Sequence, residues 1–351
     1  MKELKYYLGI DLGGTNTKIG LVDEEGIVVY KGSVPTYIEE GPRAACERVA
    51  AKVEVILSQS GVSRSQIIAT GLASAGTMDI PGRMLMVPAN LGEKWNYCPI
   101  CDMMSEACGF PVVFSNDASA AAYAEFWIGK GRDAKKSRMA RTGVQKTDVP
   151  INSMILLTLG TGIGCGIILN RCVYDGEHSH GGEYGHSIMD LSPEARVCGC
   201  GRAGHFEAYG SAKALVARAK EVIRSGRETS LRKRVEDLDL SGAKIVGEEA
   251  LAGDVVAGEL IEENAGFIAV GITNLMHTLD PDAIFIGGAM TFGGEKTELG
   301  RKYLQKIKDE VQKRAYAVCF HTTIIDFALL GGDAGFIGAA GIAKTHQEKN
   351  F

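Results

Sequence analysis

The chain has 351 residues, of which 45% are hydrophobic and 23% charged, and its formal net charge is −5. This composition is ordinary for a soluble globular protein and excludes a disordered tail protein. A protein that binds nucleic acid or an anionic membrane over its whole surface would be basic, so we expect neither partner. The 45 glycines are the unusual feature, and because they show no G-X-Y period, collagen is excluded.

Two segments bear on where the protein resides. The apolar stretch in the N-terminal MKELKYYLGID is too short for the core of a signal peptide. Val149–Asn170 contains no charged residue and is long enough to span a bilayer, but its dense glycines favour two buried strands joined by a turn. We therefore expect a cytoplasmic protein whose nine cysteines are reduced thiols or metal ligands rather than disulfides.

The first third of the chain predicts an α/β arrangement. Three short antiparallel strands open a sheet, a helix follows with its apolar residues on one face, and two more strands precede a second helix. The predicted strands are Tyr6–Ile10, Ile19–Val22, Ile27–Tyr30, Ile67–Leu72 and Val112–Phe114, and the predicted helices are Gly41–Gly61 and Ala118–Gly129. Asn116 and Asp117 therefore lie where a strand ends and a helix begins.

A second half with a similar plan follows a basic segment. Lys130–Lys146 is predicted to be a surface loop, with a mobile flap as the alternative. Strand, glycine turn and strand at Ile155–Leu169 then repeat the opening plan, which indicates a duplication into two α/β domains. The last predicted elements are a helix at Gly258–Leu279, a strand at Ala283–Ile286 and a small-residue helix after the glycine turn near residue 331.

The predicted domains are an N-terminal one, 1–125 with 335–351, and a larger one, 126–334, with the metal loop described below. We expect a ligand to lie in the cleft between them.

Four glycine-rich turns, each after an apolar strand, are candidate phosphate-binding sites. They are DLGGTNTK (11–18), GTGIGCG (160–166), GGAM (287–290) and LGGDAG (330–335). Such turns leave backbone N–H groups free to meet phosphate oxygens, and Asp11 could hold Mg²⁺. A plain hairpin turn is the alternative for the first of them, but four together suggest a nucleotide cleft. The candidate residues are Gly13, Gly14, Thr15, Asn16, Lys18, Gly160, Thr161, Gly162, Gly287 and Gly288.

Asn116 and Asp117 form the best acid/base candidate. A carboxylate at a helix N-terminus is expected to stay ionised because the helix dipole favours its charge. Asp117 could then accept a proton from a substrate hydroxyl. The alternative is that this pair only caps the helix.

The densest cluster of candidate ligands lies in GGEYGH (181–186) and CGCGRAGHFE (198–207). Two thiolates and two imidazoles, from His186, Cys198, Cys200 and His205, suit a tetrahedral Zn²⁺ site. The alternative is free thiols in a loop. Because protein would fill all four positions, the ion would be structural.

These motifs, in this order, resemble the ROK family of sugar kinases, repressors and open reading frames, and within it the bacterial glucokinases. The similarity runs from about Tyr7 to Ala343 and includes PANL at Asn90, SNDASAAAYAE and IGGAM. It implies the duplicated ribonuclease-H-like, actin/hexokinase-like α/β fold, with ATP and sugar bound in the interdomain cleft.

The resemblance also implies roles for particular residues. Asp117 corresponds to the catalytic base, and Gly14, Thr15, Thr161 and Gly288 fall in the ATP motifs. The groups that would contact the sugar are Gly76, Asn90, Asn116, Asp117, Glu183, His186 and Glu207. The family zinc site usually has one His and three Cys, whereas the last position here is His205.

The implied activity is ATP-dependent phosphorylation of a hexose, D-glucose to glucose 6-phosphate first, with Mg²⁺ and a structural Zn²⁺. N-acetylmannosamine or another N-acetylhexosamine is the alternative substrate. A ROK repressor would carry an N-terminal helix-turn-helix, whereas the first strand here begins by Tyr6, so that class is disfavoured. The expected partners are sugar, ATP and further copies of the chain in a dimer or tetramer.

Overall fold

Buried strands and amphipathic helices alternate along the chain, and the computed structural model describes residues 4–88, 90–139 and 146–349. The first group of elements is β1 (Tyr6–Leu12), β2 (Asn16–Asp23), β3 (Val28–Pro35), α1 (Pro42–Ser60), β4 (Ile67–Ser74), β5 (Met78–Asp79), β6 (Met84–Leu85), α2 (Ile100–Cys108), β7 (Val112–Asn116), α3 (Asp117–Trp127), α4 (Lys130–Asp133), β8 (Lys135–Met139) and β9 (Lys146–Pro150). The second group is β10 (Met154–Leu159), β11 (Ile163–Leu169), β12 (Cys172–Val173), α5 (Glu207–Gly210), α6 (Ala212–Arg224), α7 (Leu238–Leu251), α8 (Val255–Leu279), β13 (Ala283–Gly287), α9 (Glu298–Gln312), α10 (Ala317–Thr322), β14 (Ile324–Phe327) and α11 (Ala334–Lys349).

The chain divides into two compact units. Unit 1 comprises Met1–Asp133, Gly166–Gly182 and Leu330–Phe351, and unit 2 comprises Ala134–Cys165 and Glu183–Leu329. The domain limits at 125/126 and 334/335 that the sequence indicates stay a prediction.

Unit 1 is a five-stranded sheet with helices on both faces. Its strand order is β3-β2-β1-β4-β7, in which β1, β2 and β3 are antiparallel and β4 and β7 run parallel to β1. Side chains alternate across the sheet, as the period of a strand requires. Leu8 packs with Val49 of α1 and Met104 of α2, whereas Tyr7 packs with Phe336 of α11 on the opposite face.

Unit 2 has a sheet in which β11, β10, β13 and β14 lie side by side. Strands β10, β13 and β14 are parallel. Strands β10 and β13 are buried on both faces, which is typical of parallel strands, whereas buried and partly exposed residues alternate along β14. Helix α8 is the central helix of this unit and contacts α5, α6, α7 and α9. The last residues of β11, from Gly166 onward, belong to unit 1, where they pair with β12.

Most predicted elements are present. Helix α1 lies between Gly41 and Gly61, and its predicted apolar face is buried. Val149–Asn170 contains β10 and β11 rather than a helix. Among the helices of the described ranges, none has the length and apolarity needed to cross a membrane. All nine cysteines are free thiols in this structure.

The loop interpretation of Lys130–Lys146 is wrong for the part that the structure describes. This segment begins with helix α4 and continues into a β8–β9 hairpin, while residues 140–145 lie outside the described residues. Lys136 pairs with Asp282 at 2.6 Å, and Asp282 also accepts the backbone N–H groups of Asn152 and Ser153. The basic composition of the segment suggested an exposed loop. The ion pair between Lys136 and the distant Asp282 instead ties the β8–β9 hairpin to the rest of unit 2.

Candidate functional site

The sheet of unit 1 brings several predicted residues to one edge. Leu12 of β1 pairs with Ser74 of β4, and Ser74 pairs with Asn116 of β7. The three parallel strands therefore end together, and Asp11, Gly76 and Asp117 lie at or just beyond these ends. The carboxyl ends of parallel strands are where α/β folds bind their ligands.

The first glycine turn links β1 to β2 at this edge. Thr36 holds it from behind, because its Oγ1 donates to Gly13 O at 2.6 Å and its N–H donates to Thr15 O at 2.9 Å. Gly14 packs on the Asn90 backbone, so that a Cβ there would lie 2.9 Å from Asn90 O. The turn is therefore fixed, while Thr15 and Asn16 are exposed.

Asp11 is a half-buried carboxyl at the end of β1. Burial and the negative charge of Asp117 raise its pKa to about 6, and Lys18 opposes this shift. Its carboxyl lies against Gly335 in the first turn of α11, and Lys18 Nζ donates to Gly332 O. The fourth glycine turn thus lies beside the first.

Asn116 and Asp117 begin helix α3 as predicted. Asn116 Oδ1 accepts the N–H groups of Ala118 and Ser119 at 2.9 and 3.3 Å, so Asn116 is the N-cap. Asp117 Oδ1 also accepts the Ala118 N–H, at 2.8 Å. Burial raises the pKa of Asp117, and the backbone N–H donors at the start of α3 oppose this shift. That Asp117 is ionised when it acts stays a prediction.

Asp175 is a neighbouring carboxyl that sequence reasoning missed. It lies in the loop after β12, and its Oδ1 accepts the hydroxyl of the buried Ser119 at 3.1 Å. Burial raises its pKa as well. The available signal was the Asp175-Gly176 turn pair, but nothing in the sequence connects that turn with α3.

Two further glycine turns lie together in unit 2. Thr158 at the end of β10 pairs with Gly287 at the end of β13, and Met290 N–H donates to Leu159 O at 3.0 Å. The φ angle of Gly288 is 89°, and a Cβ at this residue would overlap the Leu159 backbone. The predicted residues Gly160, Thr161, Gly162, Gly287 and Gly288 therefore share one end of this sheet.

The predicted metal ligands converge in unit 2. Ligand atoms of His186, Cys198, Cys200 and His205 all lie within 4.8 Å of one another. His186 Nδ1 is 3.2 Å from His205 Nδ1, which is 3.2 Å from Cys200 Sγ, and Cys198 Sγ is 3.8 Å from His186 Nδ1. Tetrahedral zinc with these donors needs separations of about 3.3–3.8 Å, so the donor set fits Zn²⁺.

Glu207 connects the metal loop to the second glycine turn. Its Oε2 accepts the Ile163 N–H at 2.9 Å, and its Oε1 lies 3.4 Å from Cys198 Sγ. Burial raises the pKa of the Cys198 thiol to about 11. A cavity of about 510 Å³ beside Glu207 is also lined by Thr161, Cys198 and Lys213.

Comparison with known proteins decides the family. The family model described as ROK family matches residues 7–346. The chain belongs to the ROK family. The resemblance seen in the motifs is thereby confirmed.

The relatives of this ROK chain include sugar kinases of different specificity. It is 29% identical to the glucokinase of Halalkalibacterium halodurans, over 98% of this chain and 96% of that protein. It is 27% identical to the N-acetylmannosamine kinase of Escherichia coli K12, over 97% and 99%. The chain is therefore a ROK sugar kinase, a phosphotransferase.

Solved ROK structures share the fold. The ROK hexokinase of Thermus thermophilus is 28% identical, with a TM-score of 0.76 over 98% of this chain and 99% of that one. A ROK glucokinase of Streptomyces griseus, in complex with glucose and AMPPNP, is 28% identical, with a TM-score of 0.71 over 97% and 99%. The predicted actin/hexokinase-like fold class is confirmed, while the cleft between the domains stays a prediction.

The predicted site residues of this ROK chain are divided between the two units. Unit 1 contains Asp11, Gly13, Gly14, Thr15, Asn16, Lys18, Gly76, Asn90, Asn116 and Asp117. Unit 2 contains Gly160, Thr161, Gly162, Glu183, His186, Cys198, Cys200, His205, Glu207, Gly287 and Gly288.

Proposed function

We propose that this ROK sugar kinase transfers the γ-phosphoryl group of ATP to a hexose, and that D-glucose is converted to glucose 6-phosphate. The observation that carries the proposal is the pair of carboxyls Asp11 and Asp117 at the carboxyl ends of β1 and β7, close enough for one to raise the pKa of the other. A buried carboxyl of raised pKa is suited to general-base work.

Asp117 is assigned as the general base. Its Oδ1 accepts the Ala118 N–H, so we assign Oδ2 to the sugar hydroxyl. Phosphoryl transfer needs that hydroxyl aligned with the γ-phosphate and its proton removed as the new bond forms. Asn116 uses Oδ1 for its cap, which leaves the Nδ2 donor for a neighbouring hydroxyl.

Asp11 and the first turn are assigned to Mg²⁺ and the phosphates. A half-buried carboxyl next to exposed Thr15 and Asn16 provides oxygen ligands of the kind that Mg²⁺ prefers. When bound, Mg²⁺ neutralises charge that develops on the phosphates. Gly13, Gly14 and Lys18 complete this assignment in unit 1, and Gly160, Thr161, Gly162, Gly287 and Gly288 are assigned to ATP in unit 2.

The zinc site is assigned to His186, Cys198, Cys200 and His205. When bound, Zn²⁺ would supply structural support. Because His186 faces this cluster with Nδ1, its Nε2 points away, and Nε2 lies 3.8 Å from Glu183 Oε2. Metal on one ring nitrogen fixes the other as a donor, so Nε2–H can hold a sugar hydroxyl beside the Glu183 and Glu207 carboxylates.

Gly76 and Asn90 are assigned to the sugar from unit 1. Gly76 follows β4 and lies against Pro88, two residues before Asn90. Both residues therefore lie beyond the same sheet edge as Asp117. We further propose a cytoplasmic homo-oligomer, a dimer or tetramer, which light scattering on the purified protein would test.

The test is a panel of hexoses supplied with ATP and Mg²⁺ and followed by coupled ADP detection. Glucose should give the highest kcat/KM, above mannose, fructose, N-acetylglucosamine and N-acetylmannosamine. If N-acetylmannosamine is the best substrate, the proposed sugar is wrong but the proposed phosphoryl-transfer mechanism still holds. Failure of every sugar to stimulate ADP release would refute hexose phosphorylation.

A further inference from the structure

Glu125 is a buried acidic residue to which the proposed mechanism gives no role. It lies further along α3 than Asp117, and only 1% of its surface is exposed. Its Oε1 accepts the Leu330 N–H at 2.6 Å, and its Oε2 accepts the Lys130 N–H at 3.0 Å. Both oxygens thus bind backbone donors within unit 1.

The two donors occupy special places in the chain. The polypeptide leaves unit 1 after Asp133 and returns to it for the last time at Leu330. Lys130 is the first residue of α4, the last helix before the exit, and Leu330 is the first residue after the return. One carboxyl group therefore holds the outgoing and the returning segments together.

The local backbone is shaped around this carboxyl. Helix α3 ends with the Ile128 and Gly129 N–H groups both donating to Ala124 O. A Cβ at Gly129 would lie 2.8 Å from Glu125 Cα and would overlap its carboxyl oxygen. Helix α3 is itself packed along α11, so the carboxyl is presented from a rigid element.

Only a carboxylate can satisfy both donors. A buried N–H group without an acceptor is strongly unfavourable. The amide of Gln has one acceptor oxygen, and its NH₂ would point a donor at the second N–H group. A smaller side chain would leave both N–H groups unpaired.

We propose that Glu125 is a positioning residue that clamps the segment through which the chain first leaves unit 1 to the segment through which it last returns. The clamp makes these two connections behave as one. Where it rests on the proposed function, the clamp also keeps helix α3, which begins at Asp117, in the conformation that binds sugar.

The first test is hydrogen exchange of the full-length protein, with Glu125→Gln compared with wild type. Hydrogen bonds to charged groups are strong enough that losing one should speed exchange of the Lys130 and Leu330 amides roughly 10- to 100-fold. The Ile128 and Gly129 amides keep their carbonyl acceptor and serve as internal controls. Unchanged exchange at both Lys130 and Leu330 would overturn the clamp.

Two further variants keep this test decisive. If Glu125→Gln does not fold, Gly129→Ala displaces the same carboxyl and should give the same exchange pattern. Glu310→Gln is the matched control, because Glu310 is a buried carboxylate of α9 in unit 2 and pairs with Lys313 and Arg314, just beyond the end of that helix. Faster exchange at Lys130 and Leu330 in Glu310→Gln would show general loosening and would also overturn the proposal.

The second test separates positioning from plain stability. The apparent KM rises in inverse proportion to the fraction of molecules in the sugar-binding conformation. Glu125→Gln should therefore raise the KM for sugar about tenfold and leave kcat within about twofold of wild type. Partial unfolding would lower kcat at unchanged KM and would contradict the kinetic role. If no hexose is phosphorylated, the proposed function fails, but the exchange experiment still decides the clamp.

Discussion

The first and second glycine turns have the same strand–turn–strand plan but different chemistry. The turn at 11–18 carries Asp11, whose pKa is raised to about 6, and Lys18, which opposes the shift. The turn at 160–162 has no ionisable side chain and is fixed by Glu207, which accepts the adjoining Ile163 N–H. A shared backbone plan therefore supplies a charged group in one unit and backbone donors in the other.

The largest expected effect is at Asp117, the carboxyl whose charge raises the pKa of Asp11 in the first turn. Asp117→Asn keeps the size but removes the basicity, so kcat should fall by about 10²–10⁴-fold. Because the pKa of Asp117 is higher in the folded protein than in the unfolded chain, its ionised form lowers the free energy of unfolding at any pH above its unfolded-state pKa. The variant should therefore match or exceed wild type in Tm at pH 7. Normal turnover would remove Asp117 from the mechanism, and loss of folding would favour a capping role.

Asp11→Asn tests the charged turn itself. It removes the proposed Mg²⁺ ligand, so the concentration of Mg²⁺ needed for half-maximal rate should rise by about 10–100-fold. Kinetics at saturating sugar and varied Mg²⁺ would measure this. If Asp11→Asn needs no more Mg²⁺ than the wild-type enzyme, the first turn does not supply a Mg²⁺ ligand and does not differ from the second turn in this respect.

His205→Ala tests the metal loop that adjoins the second turn. Loss of one of four donors should weaken zinc by at least about tenfold and raise the sugar KM, because the His186 ring loses its fixed orientation. Competition with a chromophoric chelator gives the affinity, and His205→Cys is the matched variant that should retain zinc. Zinc-free wild-type protein, purified without chelators, would disprove the site.

Gly162→Ala and Gly160→Ala compare two positions within the second turn. A Cβ at Gly162 would overlap the end of the Glu207 side chain, whereas a Cβ at Gly160 meets no atom of the described chain within 4 Å. The side-chain end can move, but the Ile163 N–H then loses its acceptor, so Tm should fall modestly in Gly162→Ala and stay near wild type in Gly160→Ala. Displaced Glu207 should also raise the sugar KM several-fold in Gly162→Ala alone. Equal behaviour of the two variants would argue against a role for Glu207.

The smallest effect concerns pH. Because burial raises the pKa of Asp117, its proton is lost at a higher pH than that of an ordinary aspartate, about 3.9. As the pH is lowered, kcat/KM should therefore begin to fall at a pH above about 3.9. Asp11→Asn removes a neighbouring negative charge, so its acid limb should move to lower pH. An acid limb near pH 4 in the wild-type enzyme would contradict a buried base.

The sequence was sufficient for elements whose causes are local. Gly41 and Gly61 marked both ends of α1, and the spacing of His186, Cys198, Cys200 and His205 revealed a cluster that the fold brings together. Tertiary causes were out of reach. The β8–β9 hairpin depends on Asp282, far along the chain, and the burial that raises the pKa of Asp117 is a property of the folded state.

The pairing of the four glycine turns was equally hidden. Each turn looked alike in sequence, yet the fourth lies beside the first and the third beside the second. Sheet order decides this, because β10 and β13 are neighbours and α11 begins against β1. Asp175 and Glu125 were missed for the same reason, since Asp175 binds Ser119 and Glu125 binds Leu330, each in a distant segment of the chain.

Phosphorus-31 NMR of the complete reaction would test the central claim most directly. Wild-type enzyme with ATP, Mg²⁺ and glucose should form a phosphomonoester at the sugar 6-position in step with ADP, and Asp117→Asn should form almost none in the same time. ADP with inorganic phosphate in place of sugar phosphate, or equal product from both enzymes, would contradict a hexose kinase that uses Asp117 as its base.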